Sequence, residues 1–565
     1  MKKKSLPVFF VGLLMCGCQM KEVINEYNVV PLPVTMSEQQ GRFYLNSDVP
    51  IVVNASQEVK HIASGLSTTL LDIAGLKLKP TDELHENVPS IVFDSIPGME
   101  KEAYKLSVTP QLIKITASAP NGFYYGLQTL YQLLPVDVYC KERARNAEWS
   151  VPCVEIEDAP TFRYRGAMLD VCRHFASIDY IKKFIDVLAA HKMNTFHWHL
   201  TDDQGWRIEI KKYPKLTEIG SQRSETMVDY FYTHYPFKYD GKPHGGFYTQ
   251  DEIKEVVAYA QSKYITVIPE IELPGHALAA IASYPELSCT PDSTYEVCKL
   301  WGVFDQVFCP TDTFFQFMEG VMDEVVELFP SSYIHIGGDE VHYGNQSWFT
   351  DPEIQNFIKE KKLVDEKGLE HYFLRRAADI VASKGKTMIG WDEIIDAGIS
   401  PRKAVVMWWR HDRQHQLVKA LENGYRVILT PRRPMYADFT QFGAHKVGRQ
   451  WAGYNTIENL YNFPEPISHL MKGYENQVMG MQMSLWTERV ADFKRLDFMV
   501  FPRLIALAEA AWTPEKAKEC SMFMQRLPYF LKYLDSMDIY YFNPLNPTER
   551  EEPGAPEKED VLQNG

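Results

Sequence analysis

Ile334-His335-Ile336-Gly337-Gly338-Asp339-Glu340 is a short apolar run that ends in two glycines and two adjacent acids. A run bounded by Gly-Gly reads as a buried strand that stops abruptly. Side chains alternate faces along a strand, so Asp339 and Glu340 would point apart if the strand continued. The glycines reach backbone angles closed to other residues and admit a close ligand, which lets the chain leave strand geometry there. The stretch thus predicts a buried strand that delivers an acid pair at its C-terminal end. A solvated acidic turn fits these seven residues equally well, and the other strands decide between the two.

Outward from this stretch, beginning near residue 160, strand and helix patterns alternate. The strand candidates are Tyr164 to Asp170, Asn194 to Leu200, Ile265 to Ile271, Tyr333 to Ile336, Thr387 to Ile389, Ala404 to Met407, Arg426 to Leu429 and Val478 to Leu485. Between them lie amphipathic segments with start signals: Ser177 before Ile178, Ile181 and Phe184, and Thr249-x-x-Glu252, a capping box before Ile253, Val256 and Val257. Gly424 follows another such segment as a stop signal. Eight β-α units over about 350 residues suit an α/β fold of the (β/α)8 TIM barrel type, here 160–515. A doubly wound open sheet is the alternative, but no Gly-rich phosphate loop follows the first strand. Before the barrel, 25–155 reads as a small α+β domain, with strands at Ile51 to Val53, Ser90 to Phe93, Tyr104 to Val108 and Leu112 to Thr116, and helical spacing at His61 to Leu71 and Gly122 to Leu134. A helical segment, 516–546, and a tail at 547–565, rich in Glu, Pro and Lys and read as disordered, follow.

A barrel carries its active residues just after each strand. Those positions hold Arg173-His174, Asp202-Asp203, Glu270 to His276, Asp339-Glu340, Trp391-Asp392-Glu393, Trp408-Trp409, Tyr436-Ala437-Asp438 and Trp486-Thr487-Glu488. Core packing does not explain eight consecutive strands that end in acids, Trp, His or Arg. No HExxH or CxxC spacing is present, so neither a metal site nor a cofactor is expected.

The chain has 565 residues, 45% hydrophobic, with a formal net charge of -15, which argues against nucleic acid or an anionic membrane surface as partner. With 11 Trp and 31 Tyr it suits an apolar site that stacks on ring-shaped ligands. Met1-Lys2-Lys3-Lys4 followed by the apolar run Leu6 to Met15 reads as a secretory signal, too short to span a bilayer. Its end, Leu14-Met15-Cys16-Gly17-Cys18-Gln19, resembles a bacterial lipoprotein processing site, with Cys18 the first choice for lipidation, Cys16 the second, and an ordinary cleaved signal the alternative. The expectation is a mature protein, from residue 18, exported and tethered to the cell envelope by lipid alone. Of the remaining cysteines, Cys289 and Cys298 are the expected disulfide pair.

His335-Ile336-Gly337-Gly338-Asp339-Glu340, Asp170-Val171-Cys172-Arg173-His174-Phe175 and His197-Trp198-His199-Leu200-Thr201-Asp202-Asp203-Gln204 together resemble glycoside hydrolase family 20, the β-N-acetylhexosaminidases, over nearly the whole mature chain. The resemblance implies that Glu340 is the general acid and later the base, and that no enzyme nucleophile is used. Instead the substrate's 2-acetamido carbonyl attacks the anomeric carbon to form an oxazolinium ring. Asp339 would orient the acetamido N–H and balance its charge, and as a nearby anion would help keep Glu340 protonated. Trp391, Trp408 and Trp486 match the acetamido pocket, with Tyr436 donating to the acetyl carbonyl. Arg173 matches the residue that grips the sugar's outer hydroxyls, Asp438 and Glu488 would accept from O4 and O6, and Asp202 and His276 resemble a relay behind Glu340. Trp409 reads as core, His197 as a packed histidine, and Asp203, Asp392 and Glu393 as structural acids. The family's Pro-Glu-Ile-Asp is Pro269-Glu270-Ile271-Glu272 here, which leaves the role of Glu272 open.

The implied activity is exo-acting removal of terminal β-linked GlcNAc or GalNAc with retention, from a glycan or oligosaccharide. Two rivals stand beside it: a barrel that binds sugars without cleaving them, and a retaining glycosidase with an enzyme nucleophile, for which Glu488 is the candidate.

Overall fold

The eight apolar runs form eight parallel strands that close on themselves: Tyr164–Asp170, Thr195–His199, Thr266–Leu273, Tyr333–Gly337, Thr387–Trp391, Ala404–Trp408, Arg426–Leu429 and Val478–Leu485. Each pairs with the next in sequence, and the eighth closes on the first, Leu485 opposite Leu169 and Met483 opposite Ala167. This is a computed structural model, and it describes residues 27–554 apart from 82, 86, 145–146, 229–235, 342–345 and 451–452. Cys18 and Cys16 lie outside the described residues. Among the described residues no helix is long and apolar enough to cross a membrane.

The strands carry apolar residues on both faces because both faces are buried. Outward residues such as Leu169, Phe196, Trp198, Val406 and Trp408 pack under the helices, whereas Ile268, Ile389, Trp391, Val405, Met407 and Ile428 fill the barrel interior. The helices start where their caps predict. Ser177 accepts from Tyr180 N ahead of Ile178–Ala190, and Thr249 and Glu252 form a reciprocal capping box ahead of Gln250–Ser262. Gly424, at φ +80°, terminates the segment after Gln414–Glu422.

The preceding domain is a seven-stranded mixed sheet, in the order Thr35–Tyr44, Ser150–Asp158, Tyr104–Val108, Leu112–Ala117, Ser90–Ser95, Pro50–Asn54, Lys79–Thr81, with helices Gln57–Thr69 and Pro120–Leu133. The edge strand Thr35–Tyr44 escapes a pattern reading because most of its residues are exposed, so no alternation marks it. The domain is locked to the barrel by buried pairs. Lys192 Nζ lies 3.0 Å from Asp158 Oδ2, Trp512 Nε1 donates to Asp158 Oδ1 at 2.8 Å, and Arg165 meets Glu102 at 3.0 Å.

Two expectations are corrected. Cys289 is bonded to Cys309, with Cα atoms 5.0 Å apart, and Cys298 is a buried free thiol. The Cys309 N–H donates to Leu287 O and so brings Cys309 beside Cys289, whereas the Cys298 N–H is held at the barrel mouth by Asp203 O. The tail read as disordered from 547 is packed as far as Pro553, and 555–565 lie outside the described residues. Arg550 stacks on Tyr541 and pairs with Asp535, and Glu552 pairs with Arg495. The helix Cys520–Ser536 packs against Val136–Tyr139 of the preceding domain and is tied to the helix Arg503–Trp512 by Arg526, 2.7 Å from Glu509.

Candidate active site

Strand four ends at Gly337, φ +67°, followed by Gly338 at φ +89°, and Glu340 itself is left-handed at φ +56°. A Cβ on Gly337 would lie 1.6 Å from Glu272 Oε1, and the Gly338 N–H donates to that same oxygen at 3.1 Å. Glycine is therefore required for the backbone to fold over Glu272. That fold turns both acids to one side. His276 Nε2 is 3.4 Å from Glu340 Oε2 and 3.8 Å from Asp339 Oδ2. His276 is also left-handed, at φ +49°. Left-handed non-glycine residues cost roughly 1–2 kcal/mol each and persist where the surroundings enforce them.

Behind His276, the shorter contact is to Asp203, not Asp202: Nδ1 lies 3.0 Å from Asp203 Oδ2 and 3.4 Å from Asp202 Oδ1. This corrects the relay expected through Asp202 alone. After strand two, Thr201–Asp202 pairs with Gly205–Trp206 as a small hairpin, and the consecutive acids both reach the barrel mouth. Asp202 Oδ2 is engaged elsewhere, 2.8 Å from Arg173 and 2.9 Å from His199 Nε2. Asp203 also accepts the Leu278 N–H at 3.0 Å. Deeper still, His197, His199 and His335 converge on Glu270, which pairs with His335 at 2.7 Å and His197 at 3.1 Å. His197, Glu270 and His335 are the kind of cluster that could hold a cation, but their atoms are directed at one another.

The walls are aromatic. Trp391 and Trp486 lie 5.9 Å apart, Trp486 and Tyr436 6.1 Å, and Arg173 sits over Trp486 at 5.2 Å. On strand six the expected wall residue is replaced by its neighbour. Trp408 faces outward into the helix layer, with its Nε1 bonded to Arg413 O. Trp409 faces the interior cluster, parallel to Tyr436 at 6.4 Å, with its Nε1 held by Glu393 at 3.0 Å. The cause is strand parity, since Val405 and Met407 point inward and Trp409 continues their row. Asp438 and Glu488 face the mouth as expected, but a residue without any signal in the sequence joins them. Arg449 lies 2.6 Å from Asp438 and 2.7 Å from Glu488. An outer cavity of about 510 Å³ continues from this pocket past Arg173, Trp301, Glu340, Arg449 and Glu488.

The electrostatics divide the acid pair. Burial pushes Asp339 up to about 6, against a smaller opposing pull from His276. Burial also acts on Glu340, but the His276 hydrogen bond and charge, with Arg449 and Arg173, outweigh it and hold Glu340 below its ordinary value. His276 is raised well above its usual range because Asp202, Asp203 and Glu340 outweigh the cost of burying its charge. In the free site the proton therefore favours Asp339 over Glu340, the reverse of the expectation that Asp339 keeps Glu340 protonated. Burial and the nearby Asp339 and Glu270 raise Glu272, beneath the turn, well above its ordinary value. Burial likewise lifts Asp438 to about 6.

Convergent carboxylates, a His–Asp relay and aromatic walls at the C-terminal face of a (β/α)8 barrel fit a glycosidase. Comparison with known proteins narrows this. Residues 162–515 match the model for "Glycosyl hydrolase family 20, catalytic domain" and 26–159 that for "Glycosyl hydrolase family 20, domain 2". A beta-hexosaminidase of Porphyromonas gingivalis is 38% identical over 96% of this chain and 68% of its own length. Among solved structures, the exo β-N-acetylglucosaminidase of Vibrio harveyi, in complex with N-acetylglucosamine, aligns with a TM-score of 0.80 at 33% identity, covering 92% of this chain and 79% of that one. The family 20 β-N-acetylhexosaminidase of Streptomyces coelicolor aligns at 0.79 and 31% identity, covering 94% and 99%. The chain belongs to glycosyl hydrolase family 20.

Proposed function

We propose that this chain removes a terminal β-linked N-acetylhexosamine from the non-reducing end of a glycan, with retention, using the substrate's own acetamido group as nucleophile. The observation that carries the reading is the state of Asp339. It is buried, its Oδ1 has no hydrogen-bond partner among the described residues, and its nearest cationic group is 3.8 Å away. A buried acceptor in this state is costly until a donor meets it, and an acetamido N–H between Trp391 and Trp486 is such a donor. As positive charge develops on that nitrogen, ionised Asp339 stabilises it in a site with little water. Tyr436, whose proton burial makes hard to lose, donates to the acetyl oxygen. Holding the carbonyl against the anomeric carbon turns attack into an intramolecular step, an effect of up to about 7–11 kcal/mol in well-oriented cases.

Glu340 protonates the leaving oxygen and then takes the proton of the attacking water. Its low starting value fits if the bound sugar covers its more exposed carboxylate and so raises it, while the donated N–H favours the charged form of Asp339. Asp203 and His276 set that balance from behind, and Arg173, Asp438 and Glu488 hold the outer hydroxyls. Trp409 takes the place expected for Trp408 in the wall. Among the rivals, an enzyme nucleophile at Glu488 is disfavoured because Arg449 engages that carboxylate at 2.7 Å. The test is hydrolysis of two aryl β-glucosides that differ only at C2. Cleavage confined to the 2-acetamido substrate supports the reading, comparable cleavage of the 2-hydroxyl substrate moves the search to an enzyme nucleophile, and tight binding without cleavage leaves a sugar-binding barrel.

The basic start and the Cys16-Gly17-Cys18 sequence support export and lipid anchoring at Cys18. A Cys18→Ser variant expressed in a bacterial host should leave the membrane fraction. Membrane retention unchanged by that substitution would contradict anchoring there.

A further inference from the structure

We infer that Glu552, near the far end of the chain, is a positioning residue for the sugar site, acting through the loop that carries Arg449. The inference rests on the glycosidase reading above, in which Asp438 and Glu488 accept from the sugar. Arg449 places one guanidinium between these two acids, at 2.6 and 2.7 Å, and lines the cavity beside Glu340 and Arg173. Its charge opposes the rise that burial gives Asp438 and ties the two neighbouring carboxylates together.

The backbone that presents Arg449 is held locally by a single β-bridge to Phe439 among the described residues. The Arg449 N–H donates to Asp438 O at 2.9 Å, and Thr440 N–H donates to the Arg449 carbonyl at 3.2 Å. Just before it, Gly448 passes so close that a Cβ would lie 2.8 Å from Thr440 Cγ2 and 3.0 Å from Asp438 O, at φ +131°. The two residues before that glycine are fixed from outside the loop. Lys446 N–H and Val447 N–H donate to Glu552 Oε2 and Oε1 at 2.7 and 2.9 Å. Arg495 closes the arrangement, donating to Glu552 Oε1 at 3.0 Å, to Pro553 O at 3.1 Å and to Val447 O. One carboxylate thus satisfies two successive loop amides and a buried guanidinium, so loss of its charge loosens the loop two and three residues upstream of Arg449. Charge-assisted bonds of this kind are the strong ones.

The test is steady-state kinetics on an aryl 2-acetamido-2-deoxy-β-glucoside for the wild type, Glu552→Gln, Arg449→Ala and the double variant, with Tm recorded alongside. Glu552→Gln should raise KM about fivefold with kcat within about twofold of wild type, and the double variant should match Arg449→Ala, because two residues that act through one contact are not additive. Glu552→Asp, one methylene short, should move KM in the same direction by less, and keeps the test open if Glu552→Gln is not recovered folded. An unchanged KM in the Glu552 variants, or effects that multiply in the double variant, overturns the inference. A wild type inactive on this substrate overturns the glycosidase reading itself, an outcome distinct from an active wild type that is indifferent to Glu552.

Discussion

The two ends of the barrel treat buried charge differently. At the N-terminal end, where the preceding domain docks, each buried ion meets a full set of partners. Asp158 takes Lys192, Trp512 and Tyr104, and Arg165 takes Glu102, Tyr125 and two backbone carbonyls. At the C-terminal end, Asp339 has a buried oxygen without a partner among the described residues, Glu272 and Asp438 are raised by burial, and Glu340 and His276 are held in left-handed backbone. Buried ions are expensive unless paired. Charge that serves stability is therefore paired within the protein, whereas charge that serves chemistry keeps capacity for the substrate.

Exchanging the neutral isostere at each end should separate the two uses most sharply. Asp339→Asn should lower kcat/KM by about 10²–10³-fold, the scale of a lost transition-state electrostatic contact, with Tm unchanged or raised because a buried anion is gone. Asp158→Asn should do the opposite, costing about 3–5 kcal/mol of stability by leaving Lys192 unpaired, with the activity of the folded fraction retained. Denaturation and kinetics on both variants decide it. A loss of stability in Asp339→Asn as large as in Asp158→Asn would erase the distinction.

Strand six offers the same comparison across one peptide bond. Trp408→Ala, in the helix layer, should cost about 3–5 kcal/mol of stability and leave KM alone. Trp409→Ala, parallel to Tyr436, should cost about tenfold in kcat/KM, the order of one lost aromatic contact. Reversed outcomes would restore Trp408 to the pocket.

The smallest expected effect is the pH profile. The pKa of Asp339 is raised to about 6, and in the proposed mechanism only its ionised form carries the charge that balances the acetamido nitrogen. Its useful form is present above about 6 and is lost as pH falls through that value, so kcat/KM, which reports the free enzyme, should fall on the acid side of about 6. Asp438 is raised to a similar value. An acid limb that survives Asp438→Asn belongs to Asp339, and one that vanishes with that substitution belongs to Asp438.

Much of this was legible in the sequence because it is local. Strand, cap and turn signals predicted all eight barrel strands and the Gly337-Gly338 break, and the acids after that break do share one pocket. Residues that depend on parity or on distant chain were not legible. With both faces of a parallel strand apolar, nothing in Ala404 to Trp409 marks which tryptophan points inward. The hairpin after strand two sends Asp202 and Asp203 to the same histidine, so their order of closeness depends on tenths of an ångström. Arg449, Glu552 and the Cys289 to Cys309 bond are set by loops whose paths no periodicity records.

The most direct test of the central claim is to vary the nucleophile itself. A series of aryl 2-acylamido glucosides, with the acetyl methyl replaced stepwise by mono-, di- and trifluoromethyl, weakens the carbonyl oxygen while changing its size little. If that oxygen attacks the anomeric carbon in the pocket beside Asp339, kcat/KM falls steeply and monotonically along the series. A flat series would contradict the account and place the nucleophile on the protein.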